Sequence, residues 1–157
     1  MIQMRNILKL IATFFNIGRI SKAPGTVATA ATIPLFVLMS YLPDMIYMMI
    51  VFAVIILGIF AAQAYESDAS EHDSKEIVID EVAGFLITMA LVPCTIKSVI
   101  LGFVLFRIFD IFKPWPISAL DKKVKGGVGV MVDDIAAGIA ASIIMQAVLT
   151  YYPWVLI

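Results

Sequence analysis

Five acids stand in positions where an otherwise apolar chain has no ordinary use for them. Asp80 and Glu81 are adjacent, between Ile77-Val78-Ile79 and Val82-Ala83-Gly84. Asp133 and Asp134 are adjacent, between a glycine-rich stretch (Gly126, Gly127, Gly129) and Ala136-Ala137-Gly138. Asp110 sits midway between Arg107 and Lys113, and this spacing of three puts both cations and the carboxylate on one broad helical face. Carboxylates within an apolar run are costly in lipid, and those that persist face a bundle interior or a watered cavity. Adjacent acids also offer hard oxygen ligands for Mg²⁺, since only one of a pair can serve as a helix cap. The glycines would let backbone N–H groups approach an anion closely. Lys22-Ala23-Pro24-Gly25-Thr26 reads as a helix start with an ammonium and a hydroxyl, which suits phosphate, although the P-loop spacing is missing. Asp73, Asp80, Glu81, Asp110, Asp133 and Asp134 outnumber Lys22, Arg107 and Lys113. An ion-pair network built on Arg107 alone would therefore leave charge over, whereas a divalent cation with a phosphorylated ligand balances it.

The elements that must position these groups follow from composition. Of 157 residues, 62% are hydrophobic and 15% charged, too apolar for a single water-soluble core of this size. The net charge of −1 gives no basic stripe for nucleic acid, and the shortage of polar residues excludes disorder. Uncharged runs from Val27 to Leu42 and from Met45 to Tyr65 predict two spans, and the run from Ile135 to Ile157 predicts a last one. Between them, helices starting near Lys75 and ending near Lys113, turning at Pro93-Cys94, would each have about 18 residues and bring Asp80 and Arg107 to one depth. The expectation is an all-α, multi-pass membrane helical bundle of about five spans, the third and fourth forming a charged hairpin.

Arg5, Lys9, Arg19, Lys22, Lys75, Lys113, Lys122, Lys123 and Lys125 fall on one face of that bundle and Lys97 on the other, which makes the first face cytoplasmic. Residues 1–16 read as an amphipathic interfacial helix, with Ile2, Ile7, Leu8, Ile11, Phe14 and Phe15 on one side. Cys94 and His72 are each the only residue of their type, so no cysteine-based metal or nucleophile pattern exists.

Lys22-Ala23-Pro24-Gly25-Thr26, Ile77-Val78-Ile79-Asp80-Glu81 with Gly84, Arg107-x-x-Asp110-x-x-Lys113-Pro114-Trp115-Pro116, and Gly126-Gly127 with Asp133-Asp134 occur in an order and spacing that resemble the phosphatidylglycerophosphatase A family. The resemblance covers nearly the whole chain. It departs at Ser21, where many relatives have proline, and at Ala28-Thr29, where they have Gly-Ser or Gly-Thr. It implies a single integral membrane phosphatase domain over residues 1–157. The implied reaction is Mg²⁺-dependent conversion of phosphatidylglycerophosphate to phosphatidylglycerol on the cytoplasmic face of a bacterial inner membrane. On this resemblance Asp80, Glu81, Asp110 and Asp134 are the expected catalytic residues, and Asp80, Glu81, Asp133 and Asp134 the expected metal ligands. Lys22, Thr26, Arg107 and Lys113 are the expected substrate contacts. Asp73 matches a further acid of the family, and His72 reads as a solvated loop residue rather than an acid or base.

Motifs of other phosphatase chemistries are absent. There is no Asp-x-Asp nucleophile motif of the haloacid dehalogenase type, and one histidine cannot supply the pair that histidine-based lipid phosphatases need. A small transporter or channel subunit remains the alternative. It would spread charges along a path through the bilayer, whereas here they collect at one mouth. A lipid-binding scaffold would not need the converging acids.

Overall fold

A computed structural model describes residues 2–20, 22–69 and 74–156, and all regular structure in it is helical. His72 and Asp73 lie outside the described residues. In chain order the helices are α1 (Ile2–Ala12), α2 (Pro24–Met39), α3 (Asp44–Ala69), α4 (Ile79–Thr88), α5 (Ile96–Phe112), α6 (Ile117–Lys123), α7 (Gly126–Tyr151) and α8 (Pro153–Leu156), with a 3₁₀ turn over Ile17–Arg19.

The centre of the bundle is α4, which packs against α2, α3, α5 and α7. Its residues Val82, Ala83, Gly84, Phe85, Leu86 and Thr88 are buried. Phe85 meets Phe36 of α2 and Phe106 of α5 at ring-centroid distances of 6.5 Å, in tilted or edge-on arrangements that favour aromatic pairs. Buried hydroxyls are satisfied locally: Thr29 donates to the Gly25 carbonyl and Thr32 to that of Ala28, both at 2.8 Å. Tyr47 of α3 donates to the Leu86 carbonyl at 2.7 Å and ties α3 to α4.

Two helical stretches, Asp44–Ser67 and Gly126–Tyr151, are long and apolar enough to cross a membrane, and Pro24–Met39 is a shorter apolar helix. Met45, Met49, Phe52 and Phe60 of α3 and Ile143 of α7 are exposed, an apolar exterior of the kind that lipid covers.

Three boundaries differ from expectation. The N-terminal helix stops at Ala12 rather than residue 16, because Phe14, Phe15 and Asn16 all take positive φ and the Thr13 hydroxyl turns back to the Lys9 carbonyl. The expected third span, α4, is ten residues rather than about 18 and rises about 15 Å. Residues 77–78 ahead of it are non-helical, the Val78 N–H donating at 2.9 Å to the Ala12 carbonyl of α1. Beyond it the chain leaves the helix at Met89 and Leu91 takes φ 60°. The last long helix begins at Gly126, nine residues before the uncharged run does, so Asp133 and Asp134 lie well inside a helix and not at its start. By contrast, α5 begins just after the expected Pro93-Cys94 turn, at a capping box in which Thr95 and Ser98 are bonded reciprocally at 3.1 and 3.0 Å. It ends where Lys113 adopts the left-handed conformation ahead of Pro114.

Candidate functional site

The starts of α2 and α4, the end of α5, the N-terminal part of α7 and the loop before α4 line a cavity of about 420 Å³ at one end of the bundle. The first turn of α4 supplies Asp80 and Glu81, acids placed where the helix dipole favours them. The last turn of α5 supplies Asp110, followed by Lys113, and α7 supplies Asp133 and Asp134. The loop before α4 adds Ser74, Lys75 and Ile77, and Pro24 closes the rim from the start of α2.

One carboxylate oxygen from each of Asp80, Glu81 and Asp134 lies within 4.8 Å of the other two. Asp80 Oδ1, Glu81 Oε2 and Asp134 Oδ2 are buried with no hydrogen-bond partner among the described residues. Unpartnered buried oxygens are expensive, and three carboxylates that converge while each keeps such an oxygen form a donor set that fits a hard divalent cation. Asp133 stands apart from this trio, its Oδ2 2.5 Å from Lys113 Nζ. Arg107 pairs with Asp110 and lies 3.9 Å from Glu81 Oε1, so the matched depth expected for the two helices is realised through Glu81.

The close approach of helices that makes this possible rests on small residues. A Cβ on Gly25 would overlap the Glu81 carboxylate, and one on Gly138 would overlap the Gly84 carbonyl oxygen. At the start of α7, Gly129 lines the cavity whereas Gly127 is taken up by contacts to α3. A Cβ on Gly127 would run into the Ile59 carbonyl of α3, and the Gly127 N–H is taken by Gln63 Oε1 at 3.0 Å.

Of the residues singled out in the sequence, Asp80, Glu81, Asp110, Lys113, Asp133 and Asp134 line the cavity. Arg107 lies just behind it, bonded to two of its acids, while Lys22 and Thr26 are not part of the lining. Ser74 and Lys75 were not anticipated as site residues. In the sequence Lys75 carries only the signal of a cytoplasmic rim lysine, and its inward placement depends on how the following loop is tied down. That tie is visible: Glu76 Oε2 accepts from the Tyr65 hydroxyl at 2.5 Å and from Arg19 Nε at 2.9 Å. The Tyr65 hydrogen bond first, and that of Arg19 next, hold the Glu76 carboxyl below the usual glutamate range.

Fold and site together define an all-helical protein with membrane-capable helices and a carboxylate-rich, cation-flanked pocket at one end of the bundle. The family model described as phosphatidylglycerophosphatase A matches residues 10–149, and the chain belongs to that family. It is 37% identical over 153 residues to Phosphatidylglycerophosphatase A of Escherichia coli, covering 97% of this chain and 89% of the relative. The protein of the same name from Haemophilus influenzae is 37% identical over 149 residues, covering 94% of this chain and 91% of its own. A Bacteroides thetaiotaomicron relative, whose name offers phosphatidylinositol-3-phosphatase as a proposed activity, is 39% identical over 144 residues, 87% of this chain and 89% of its own. No solved structure matches the chain.

Proposed function

We propose that the chain hydrolyses the terminal phosphomonoester of phosphatidylglycerophosphate, releasing phosphatidylglycerol and inorganic phosphate. In this reading it depends on Mg²⁺ and acts from the cytoplasmic face of a bacterial inner membrane. The observation that carries the reading is the convergence of Asp80, Glu81 and Asp134, one carboxylate oxygen of each within 4.8 Å of the others and each residue also holding a buried oxygen with no partner among the described residues, in a chain of this family. The bundle would cross the bilayer about five times, counting α2 and the α4–α5 hairpin with the two longer helices, and α1 would lie along the interface.

Asp80, Glu81 and Asp134 would hold Mg²⁺, which when bound supplies positive charge beside the phosphate oxygens and acidifies water. Asp133, expected from sequence among the ligands, instead orients Lys113 by their ion pair, and Lys113 meets the phosphate from the cavity wall. Arg107 keeps Glu81 and Asp110 in register from behind. Asp110, lining the cavity near Asp134, is assigned as acceptor of the proton of the attacking water. Beyond the trio, Phe85, Leu86, Phe36 and Phe106 are buried around α4, and this apolar packing favours the phosphatase reading over a charged path of the kind a channel or transporter would use.

The test is phosphate release from phosphatidylglycerophosphate in neutral detergent, with Mg²⁺ or with EDTA, and with phosphatidylinositol 3-phosphate as competing substrate. EDTA and Asp80→Asn should each reduce the rate at least about 100-fold. Full activity in EDTA would remove the metal from the mechanism, and preferential turnover of the inositol lipid would change the substrate.

A further inference from the structure

The cavity is larger than the chemistry assigned to it requires. Its 420 Å³ has room for about a dozen waters, more than one phosphate and a cation fill. Its cations are also unequally committed. Lys113 is paired with Asp133, and Arg107 with Asp110 and Glu81. Lys75 lines the same cavity from the opposite loop and makes no ion pair or hydrogen bond among the described residues. It is exposed, whereas Asp80 and Glu81 are half-buried and Asp134 is 3% exposed, so Lys75 stands at the mouth and the carboxylates deepen to Asp134 at the floor.

The backbone that carries Lys75 is nevertheless held. Glu76 is fixed by Tyr65 and Arg19, the Ile77 N–H returns to the Ser74 carbonyl at 2.9 Å, and Val78 is bonded to Ala12. An ammonium with no partner among the described residues, on an anchored loop at the mouth of a pocket whose floor would take a phosphomonoester through its bound cation, is placed for a second anionic group on the same ligand. Resting on the function proposed above, we propose that Lys75 is a specificity-determining residue. It binds the phosphodiester of the lipid while the terminal phosphate occupies the floor, and so favours lipids with two phosphates over those with one.

The experiment uses mixed micelles of neutral detergent, in which no anionic bilayer can attract a rim lysine. KM and kcat are measured for phosphatidylglycerophosphate, together with the Ki of phosphatidic acid, a lipid with one phosphomonoester and no phosphodiester. Lys75→Ala should raise KM about three- to fivefold, the scale of one exposed charge contact, with kcat held within about twofold. Lys75→Arg should restore KM, and the Ki of phosphatidic acid should be the same in all three proteins. An unchanged KM in Lys75→Ala overturns the assignment. A parallel rise in KM and Ki overturns it too, because Lys75 would then act on any anionic lipid. A wild-type chain that releases no phosphate overturns the underlying function and this inference with it, an outcome distinct from an active wild type with an indifferent Lys75.

Discussion

Asp134 is buried, with Oδ2 unpartnered, and its neighbours Asp110, Glu81 and Asp133 carry the same charge. Such an arrangement opposes folding, and its retention points to use. Asp134→Asn should therefore separate stability from activity. In metal-free detergent it should melt higher, by about 1–3 kcal/mol of relieved repulsion and desolvation, while phosphate release falls at least about 100-fold. Thermal unfolding and activity on one preparation check both, and a lower melting point would sink the strained-cluster view. Glu76 supplies a pH dependence of known sign. Its folded carboxyl titrates below the unfolded value of about 4.3, so its contribution is complete above that pH and is lost as pH falls through the folded value. Because Arg19 and Glu76 are 45% exposed, the loss should stay under about 1 kcal/mol. Melting curves between pH 3 and 6 should accordingly be flatter in Glu76→Gln than in wild type, and equal slopes would refute the coupling. At this scale the acids were legible in the sequence because lipid makes every buried charge conspicuous. Lys75 was not, because its direction is set by contacts to α1 and α3 that are distant in sequence.

Among elements, the α4–α7 crossing decides whether the acids meet. Gly84 and Gly138 bring the two backbones together, and a Cβ on Gly84 would press on Phe106 and the Asp134 carbonyl. Gly138→Ala should push α4 from α7, costing about 1–3 kcal/mol of overpacking. It should reduce activity about 10- to 100-fold, since Asp80 and Glu81 ride on one helix and Asp134 on the other. Activity within about twofold of wild type, with a normal melting point, would show that the crossing has slack. The same crossing explains what charge-free runs could and could not foretell. They located α2, α3 and the apolar part of α7, because lipid exposure requires uncharged stretches. They missed the start of α7, where Gly127, Gly129, Val130 and Met131 are buried against protein and the helix continues through its acids. They also overestimated α4, whose ends are set by the bond from Val78 to α1 and by the backbone reversal at Leu91, not by hydropathy.

For the whole molecule, the distribution of charge between the two ends of the bundle predicts an orientation. Lys113, Lys122, Lys123 and Lys125 cluster by the cavity, at the end of α5, along α6 and before α7. The other end keeps Lys97, whose ammonium donates to the Trp154 carbonyl at 3.4 Å, next to the packed rings of Tyr152 and Trp154. Basic residues stay on the cytoplasmic side and amphipathic aromatics settle at interfaces, so the cavity should face the cytoplasm. Cys94 makes this testable, being the only cysteine, exposed, and located in the turn between α4 and α5 at the end away from the acids. A membrane-impermeant maleimide added to spheroplasts should label Cys94 without lysis. In a Cys94→Ser background, Lys123→Cys should be labelled only after the membrane is opened. Reversal of both results would invert the orientation and place the pocket outside. Labelling of both positions from one side would mean that the α4–α5 hairpin, with its ten-residue first helix, dips into the bilayer and returns instead of crossing it.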